Sequence, residues 1–154
     1  MKKLFFIMVC IAAVALAGCK ETPYSDESAA YAGTYSGTFT ILKVKENTTS
    51  TKEGKLHFKQ NPLNMENLLW EYVIELQRQK AGVYESAEDT YTAEMLSAAT
   101  NLIGISEYTD ETIEKILVKS EFSGNSVTTK IYYKAVVLGV EADVVIATFK
   151  GNKQ

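Results

Sequence analysis

Side chains that commonly carry catalysis or bind metals are sparse in this 154-residue chain, which has one histidine and two cysteines. His57 lies between Lys55 and Lys59 in a stretch that alternates like a strand, so we expect a solvent-facing residue. One imidazole without neighbouring ligands neither forms a metal site nor completes a Ser-His-Asp triad. A Gly-x-Ser-x-Gly elbow and a glycine-rich phosphate loop are also missing. We therefore predict no catalytic, metal-binding or cofactor-binding residue.

Acidic side chains are the remaining candidates for chemistry, because paired carboxylates carry out glycoside hydrolysis. Glu71 and Glu75 are one turn apart if residues 62–79 form a helix. Acids at this spacing on an exposed helix face are usually solvated charges, and we favour that interpretation. A hydrolase that acts on glycan or peptidoglycan through paired carboxylates is the alternative.

Three aromatic residues are the candidates for contact with a ligand. Trp70 lies at the edge of the apolar stripe of the predicted helix, where it is placed to contact a sugar or a partner. Tyr132 and Tyr133 lie on opposite faces of one predicted strand, so one of them should face outward or into a groove. Packing against the sheet is the commoner role for all three.

The first 18 residues have the three-part layout of a secretory signal. Lys2 and Lys3 form a positive start, residues 4–16 are apolar throughout, and small residues follow. The apolar stretch has about 13 residues, whereas a helix needs roughly 20 to cross the hydrocarbon core of a bilayer. We therefore expect a signal for export rather than a permanent membrane span.

Residues 16–19, Leu-Ala-Gly-Cys, match all four positions of a lipobox and resemble the processing site of bacterial lipoproteins. The resemblance implies cleavage before Cys19, a diacylglyceryl group on its thiol and, often, an acyl chain on the freed amine. Each buried CH₂ contributes about 0.8 kcal/mol to membrane attachment, so two or three chains hold a protein firmly. We expect a protein of the cell envelope that is anchored by lipid on Cys19, in the outer membrane. An ordinary signal peptidase site with a coincidental cysteine is the less favoured alternative.

Both cysteines are accounted for by this processing, because Cys10 lies in the removed segment and Cys19 carries the lipid. The mature chain then has no thiol for a disulfide, a metal or a nucleophile. Removal of Lys2 and Lys3 leaves 14 basic against 19 acidic residues, which changes the net charge from −3 to −5. A mildly acidic chain without a basic patch disfavours nucleic acid as a partner.

The mature chain divides into a tether and one globular domain. Residues 19–30 are polar and short of large apolar side chains, so we expect a lipidated tether there. Residues 31–154 are long enough to bury a core of their own and contain no internal repeat. They are expected to form a single domain.

Alternation of apolar and polar residues predicts strands at both ends of this domain. A first strand at residues 31–44 is followed by a polar turn at 47–54 and a second strand at 55–59. Near the end of the chain, residues 127–138 and 144–149 are expected to be strands, joined by a turn at 139–143.

The apolar spacing changes in the middle of the domain. Between positions 62 and 79 apolar residues recur three and four apart, after Asn61 as a helix cap and Pro62 at the first helical position, which predicts a helix. The domain is therefore expected to be α+β. It would be an antiparallel sheet or partly open barrel, made of the N-terminal hairpin and the C-terminal strands, with one or two helices inserted in the middle.

Two further segments allow either a helix or a strand. Residues 93–103 are rich in helix formers and predict a second helix, with a strand at 90–96 as the alternative. Residues 110–117 suggest a short helical turn, with a strand at 116–122 as the alternative.

The domain opens on Tyr-Ala-Gly-Thr-Tyr-Ser-Gly-Thr-Phe at residues 31–39, continues with Gly-Lys-Leu-His-Phe at 54–58, and has a last strand ending at Phe149. With the lipobox and tether, this combination resembles small lipoproteins of Bacteroidetes, some of which have lipocalin-like (calycin-like) β-barrels. Tyr35 stands where a lipocalin has the tryptophan of Gly-x-Trp. In the same stretch, Gly33 and Gly37 suggest a place where the strand bends or is approached closely by another backbone. The resemblance implies a class and a location but no chemistry.

These observations favour a non-enzymatic lipoprotein of the cell envelope that binds a small molecule, a glycan or a protein, or that has a structural role. No cofactor is expected. The hydrolase is one alternative, and two acidic side chains roughly 5 to 9 Å apart across a cleft would favour it. An inhibitor of an envelope enzyme is another, and an exposed apolar patch without a pocket would favour that.

Overall fold

The computed structural model of the chain describes residues 27–43, 47–87 and 116–154. These residues form an antiparallel sheet of eight strands and one short helix, α1, Glu27–Tyr31. The strands are β1 Gly33–Lys43, β2 Thr48–Gln60, β3 Leu68–Trp70, β4 Ile74–Lys80, β5 Val83–Glu85, β6 Leu117–Ser123, β7 Ser126–Val137 and β8 Val140–Lys153.

Each strand pairs with the next along the chain, and β1 also pairs with β8, so the sheet closes into a ring. Strands β1, β2, β7 and β8 have 11 to 14 residues, whereas β3 to β6 have three to seven. The long strands therefore extend beyond the short ones at the end where β7 turns into β8, which we call the hairpin end. The opposite end carries α1 and is called the helix end.

Aromatic and aliphatic side chains fill the inside of the ring. The rings of Tyr35, Phe58 and Tyr84 meet Phe122 edge-on, with centroids 5.0 to 5.7 Å apart. Burial of each such side chain stabilises the fold by about 2 kcal/mol, so this cluster is a major source of stability. The largest fully buried side chains are Trp70, Tyr35, Tyr84, Phe58, Phe149, Leu56, Leu68, Ile74, Leu76 and Ile116.

A row of three glycines crosses the sheet where the ring closes. Gly37 of β1 pairs with Gly54 of β2 on one side and with Gly151 of β8 on the other. A Cβ atom on Gly37 would lie 1.9 Å from the carbonyl oxygen of Lys150, and one on Gly54 would lie 2.6 Å from the ring of Phe39. The close backbone approach suggested for Gly33 and Gly37 is confirmed at Gly37, whereas a Cβ atom on Gly33 would lie 2.7 Å from the side chain of Lys153.

The helix expected at residues 62–79 is wrong, because this stretch contains β3, β4 and the tight turn between them. Glu71 and Tyr72 have φ angles of 48° and 63°, and this left-handed pair reverses the chain. The reversal interrupts the strand period of two residues. It leaves apolar residues three and four positions apart, which is the spacing typical of a helix. The side chains that point into the core are Leu68, Trp70, Ile74 and Leu76.

Two expected turns are also shorter than predicted. Residues 48–54 belong to β2, although their polar composition suggested a turn, because they pair along the length of β1. Residues 140–143 belong to β8, and the chain reverses at Leu138 and Gly139, which have φ angles of 53° and 80°. Both hairpins are therefore longer than the sequence indicated.

The antiparallel sheet and the strand alternative for residues 116–122 are confirmed, the latter by β6. The segment at 93–103, helix or strand, lies outside the described residues. Residues 27–30, which were expected to be tether, form most of α1 and contact the ring. None of the helices in the described ranges is long and apolar enough to cross a membrane.

Candidate functional site

The candidate binding site is a pocket of about 340 Å³ on the outer wall of the ring. It lies where the outward faces of β4, β5, β6 and β7 adjoin. The residues that line it are Gln77, Gln79, Glu85, Ser86, Ala87, Leu117 and Tyr132.

Strand alternation brings the polar side chains of this pocket to the outside. Because Ile74 and Leu76 of β4 point into the core, Gln77 and Gln79 point away from it. Gln77 pairs with Glu85 of β5, so an amide and a carboxylate stand side by side on neighbouring strands.

The phenol of Tyr132 closes the other side of the pocket. Tyr132 lies on β7 opposite Leu117 of β6, and its hydroxyl donates a hydrogen bond to Oε1 of Glu85. Its side chain is only 5% exposed, so the bond is held in place by packing. The carboxylate of Glu85 is thereby oriented before any ligand arrives.

Ser86 fixes the edge between β5 and β6. Its backbone N–H donates to the carbonyl oxygen of Val118 at 2.9 Å, and its hydroxyl accepts the N–H of Val118 at 2.8 Å. These two hydrogen bonds to Val118 hold Ser86, and with it this side of the pocket, against β6 after the regular pairing of β5 has ended.

The lining offers two amides, one carboxylate and two hydroxyls. Of the described residues that line the pocket, Glu85 and Tyr132 are the ionisable ones, and none is basic. Groups of this kind form hydrogen bonds with hydroxyl and amide groups, and they provide no charge to attract an anion. Among the described residues, the lining holds one carboxylate and therefore no acid pair of the kind that glycoside hydrolysis uses.

The structure separates the three aromatic candidates. Tyr132 lines the pocket, whereas Tyr133 is half-buried against the core. Trp70 is fully buried inside the ring, and its indole N–H has no hydrogen-bond partner among the described residues. Contact with a ligand stays a prediction for Tyr132, and Trp70 and Tyr133 have the packing role. Cys19 lies outside the described residues.

His57 is half-buried and has more neighbours than the sequence suggested. Its Nδ1 lies 3.0 Å from Oγ1 of Thr34, and its ring stacks on Tyr72 with centroids 6.3 Å apart. Oε1 of Glu71 accepts the backbone N–H of His57 at 2.9 Å rather than an N–H of the ring. Because the carboxylate binds the main chain, these residues do not have the geometry of a Thr-His-Glu triad.

Glu71 is the titratable group that this arrangement affects most. Burial raises the pKa of its carboxyl, and the hydrogen bond and charge from His57 partly oppose that shift. The residue occupies a left-handed turn and accepts a main-chain hydrogen bond, so its role is to shape the β3–β4 turn.

Sequence reasoning missed Gln77, Gln79 and Glu85. The signal that identifies the first two is the alternation Ile-Glu-Leu-Gln-Arg-Gln-Lys at residues 74–80, which was hidden by the helical interpretation of the longer stretch. Glu85 has no comparable signal, because it joins the pocket through strand pairing alone.

Within the described ranges, no group of three or more His, Cys, Asp or Glu side chains is placed to hold a metal ion. Comparison of the chain with protein-family models, with curated proteins and with solved structures finds no match. The geometry of the pocket is therefore the basis for assigning a function.

Proposed function

We propose that this chain is a lipid-anchored, non-enzymatic binding protein of the cell envelope, and that the pocket beside Glu85 takes a small neutral glycan fragment. The observation that carries the proposal is the oriented Glu85 carboxylate between two amides and the Tyr132 phenol. A carboxylate accepts hydrogen bonds and an amide both donates and accepts them, so together they match the adjacent hydroxyl groups that a sugar ring presents.

The size of the pocket limits the ligand. Its volume of about 340 Å³ is near the lower end of the range for small-molecule sites, which suits one or two sugar rings. The polar lining disfavours a purely apolar ligand, since such a ligand would cover the exposed amides of Gln77 and Gln79 and remove their hydrogen bonds to water. None of the lining residues in the described ranges is basic, which disfavours a phosphorylated or acidic sugar.

The envelope location rests on the lipobox and the signal-like start. Seven residues lie between Cys19 and Glu27, and the eight Cα–Cα steps span at most about 29 Å, which is the greatest distance of α1 from a membrane that holds the lipid. The lipoprotein class rests on the lipobox, the tether and the resemblance of the sequence. Metabolic labelling with a palmitate analogue tests the anchor, and we expect label on the natural chain but none on Cys19→Ser.

Titration with neutral oligosaccharides tests the ligand, with amide NMR spectra as the readout. The protein for this test is the chain from residue 20 onward, which includes α1 and all eight strands. We expect shifts in the side-chain amides of Gln77 and Gln79, and at least about tenfold weaker binding for Glu85→Gln and Gln79→Ala. Glu53→Gln, on the exposed part of β2, is the matched control and should bind normally. Spectra that do not respond to any neutral sugar would contradict the proposal.

The same sugars distinguish the binding protein from the hydrolase. Because the described lining holds one carboxylate, we expect binding without release of shorter products. Product formation by the natural chain that Glu85→Gln abolishes would instead identify an enzyme.

A further inference from the structure

Beyond the ring, β7 and β8 continue as a two-stranded arm, residues 133–145. The pairing of β7 with β6 ends at Tyr132, and the pairing of β8 with β1 ends at Ala147. Among the described strands, those of the arm pair only with each other. The arm ends in the tight turn at Leu138 and Gly139.

The tip of this arm carries exposed apolar side chains at its apex and on both faces, and Glu141 lies beside Val136 on one of those faces. Leu138 at the apex is fully exposed, and Val136, Val137 and Val140 are 71%, 55% and 67% exposed. Val137 and Val140 are directly paired and share one face, whereas Val136 lies on the other. A groove on a protein would cover one face of the tip, but the hydrocarbon of a bilayer would surround both.

The turn itself is unfavourable for the isolated chain. Leu138 adopts a φ of 53°, a conformation in which asparagine and glycine are the usual residues. A fully exposed leucine in that conformation adds backbone strain and buries nothing. Within the described part of the chain no contact compensates for either effect, and both point to a contact outside the chain.

We propose that the tip of the arm inserts into the surface of a lipid bilayer. The backbone is suited to this, because the ladder pairs Val137 with Val140 and Val136 with Glu141, so few main-chain groups would enter hydrocarbon without a partner. This contact is independent of the sugar pocket, which lies on the outer wall of the ring, and of any lipid on Cys19.

The charges beside the tip set the depth of insertion. Glu141 directly follows Val140, and Lys134 lies two residues before Val136. Asp143 is the next charged residue after Glu141. At about 3.3 Å per residue, the apolar part reaches roughly 7 to 10 Å, which matches the depth of interfacial insertion. The charged side chains would then lie among the headgroups.

The same charges select the lipid. Lys134 is paired with Asp143 across the arm, and Glu141 adds a further negative charge. The arm therefore repels an anionic surface, so zwitterionic vesicles should be bound better than anionic ones.

Vesicle sedimentation of the chain from residue 20 onward tests the proposal. We expect it to pellet with phosphatidylcholine and phosphatidylethanolamine vesicles, and less with vesicles that also contain phosphatidylglycerol. Leu138→Asp should lower the partition coefficient at least about tenfold, because it places a charge at the apex. Leu63→Asp is the control, since Leu63 is 95% exposed but lies in the loop before β3, away from the arm. Circular dichroism verifies that both variants fold.

Two results would overturn the proposal. One is equal partition of Leu138→Asp and the natural chain, which would show that the tip does not bind lipid. The other is a natural chain that does not pellet with vesicles and that forms a dimer in light scattering, while Leu138→Asp stays monomeric. That result would identify a second copy of the chain as the occupant of the tip.

Discussion

Oε2 of Glu27 in α1 lies 2.5 Å from Nη2 of Arg78 in β4, and Oε1 of the same carboxylate accepts the backbone N–H of Gly82. The residues that follow add an aromatic contact, since Tyr31 stacks on Phe122 with centroids 4.7 Å apart. The helix is thus held to three different strands or turns. It covers the helix end of the ring and leaves the hairpin end as the extended one.

Replacing Glu27 with alanine should destabilise the fold by about 1 to 3 kcal/mol, because it leaves Arg78 and the N–H of Gly82 without their partner. Urea unfolding measures the change. Glu53→Ala is the control, since its carboxylate is exposed and accepts a hydrogen bond from the hydroxyl of Thr38. That variant should lose less than about 0.5 kcal/mol. Equal losses in the two variants would mean that the contacts of the Glu27 carboxylate contribute no more to stability than an exposed hydrogen bond.

Gly37→Ala should disrupt the closure of the ring. The new Cβ would lie 1.9 Å from the carbonyl oxygen of Lys150, so β1 and β8 must separate, at a cost of at least about 3 kcal/mol. Gly124→Ala provides the comparison, because Gly124 has a φ of 57° but open space around its Cα. Its cost should be about 1 kcal/mol, from the backbone alone. Thermal unfolding of both variants gives the ranking, and a similar melting temperature for the two would contradict it.

The two ends of the domain were predictable because strand alternation is a local signal. Tyr35, Phe39 and Ile41 lie at odd-numbered positions of β1 and are all buried, so the spacing of the apolar residues alone predicts which face of the strand points inward. The middle was not, because Glu71 and Tyr72 reverse the chain without the Asn-Gly or Asp-Gly pair that usually marks such a turn. The pocket was harder still. Its polar groups come from residues as far apart as Gln77 and Tyr132, and only the pairing of four strands brings them together.

The free energy of unfolding should change differently when each of two buried tyrosines loses its hydroxyl group. The hydroxyl of Tyr35 donates to the carbonyl oxygen of Tyr31 at 3.0 Å, whereas the hydroxyl of Tyr84 is buried and has no hydrogen-bond partner among the described residues. Tyr35→Phe should therefore lose about 1 kcal/mol, and Tyr84→Phe should be neutral or more stable. Urea unfolding at neutral pH separates the two. A loss in Tyr84→Phe as large as in Tyr35→Phe would show that the Tyr84 hydroxyl does have a partner.

The same two tyrosines should make the fold sensitive to alkali. Burial raises the pKa of Tyr35 and of Tyr84 from 10.0 to about 12, with smaller contributions from Tyr31 and Glu27 respectively. Because the folded state holds these protons more tightly than the unfolded state, their contribution to stability is complete below about pH 10 and is lost as the pH rises towards about 12.

Unfolding free energies at about pH 9 and about pH 11 test this dependence. Tyr84→Phe should lose less stability over that interval than the natural chain, because one of the two groups no longer titrates. Tyr72→Phe is the matched control, since Tyr72 is exposed on the β3–β4 turn, and it should lose as much as the natural chain. If Tyr84→Phe and Tyr72→Phe lose the same amount of unfolding free energy between these two pH values, burial of Tyr84 is not what limits stability in alkali.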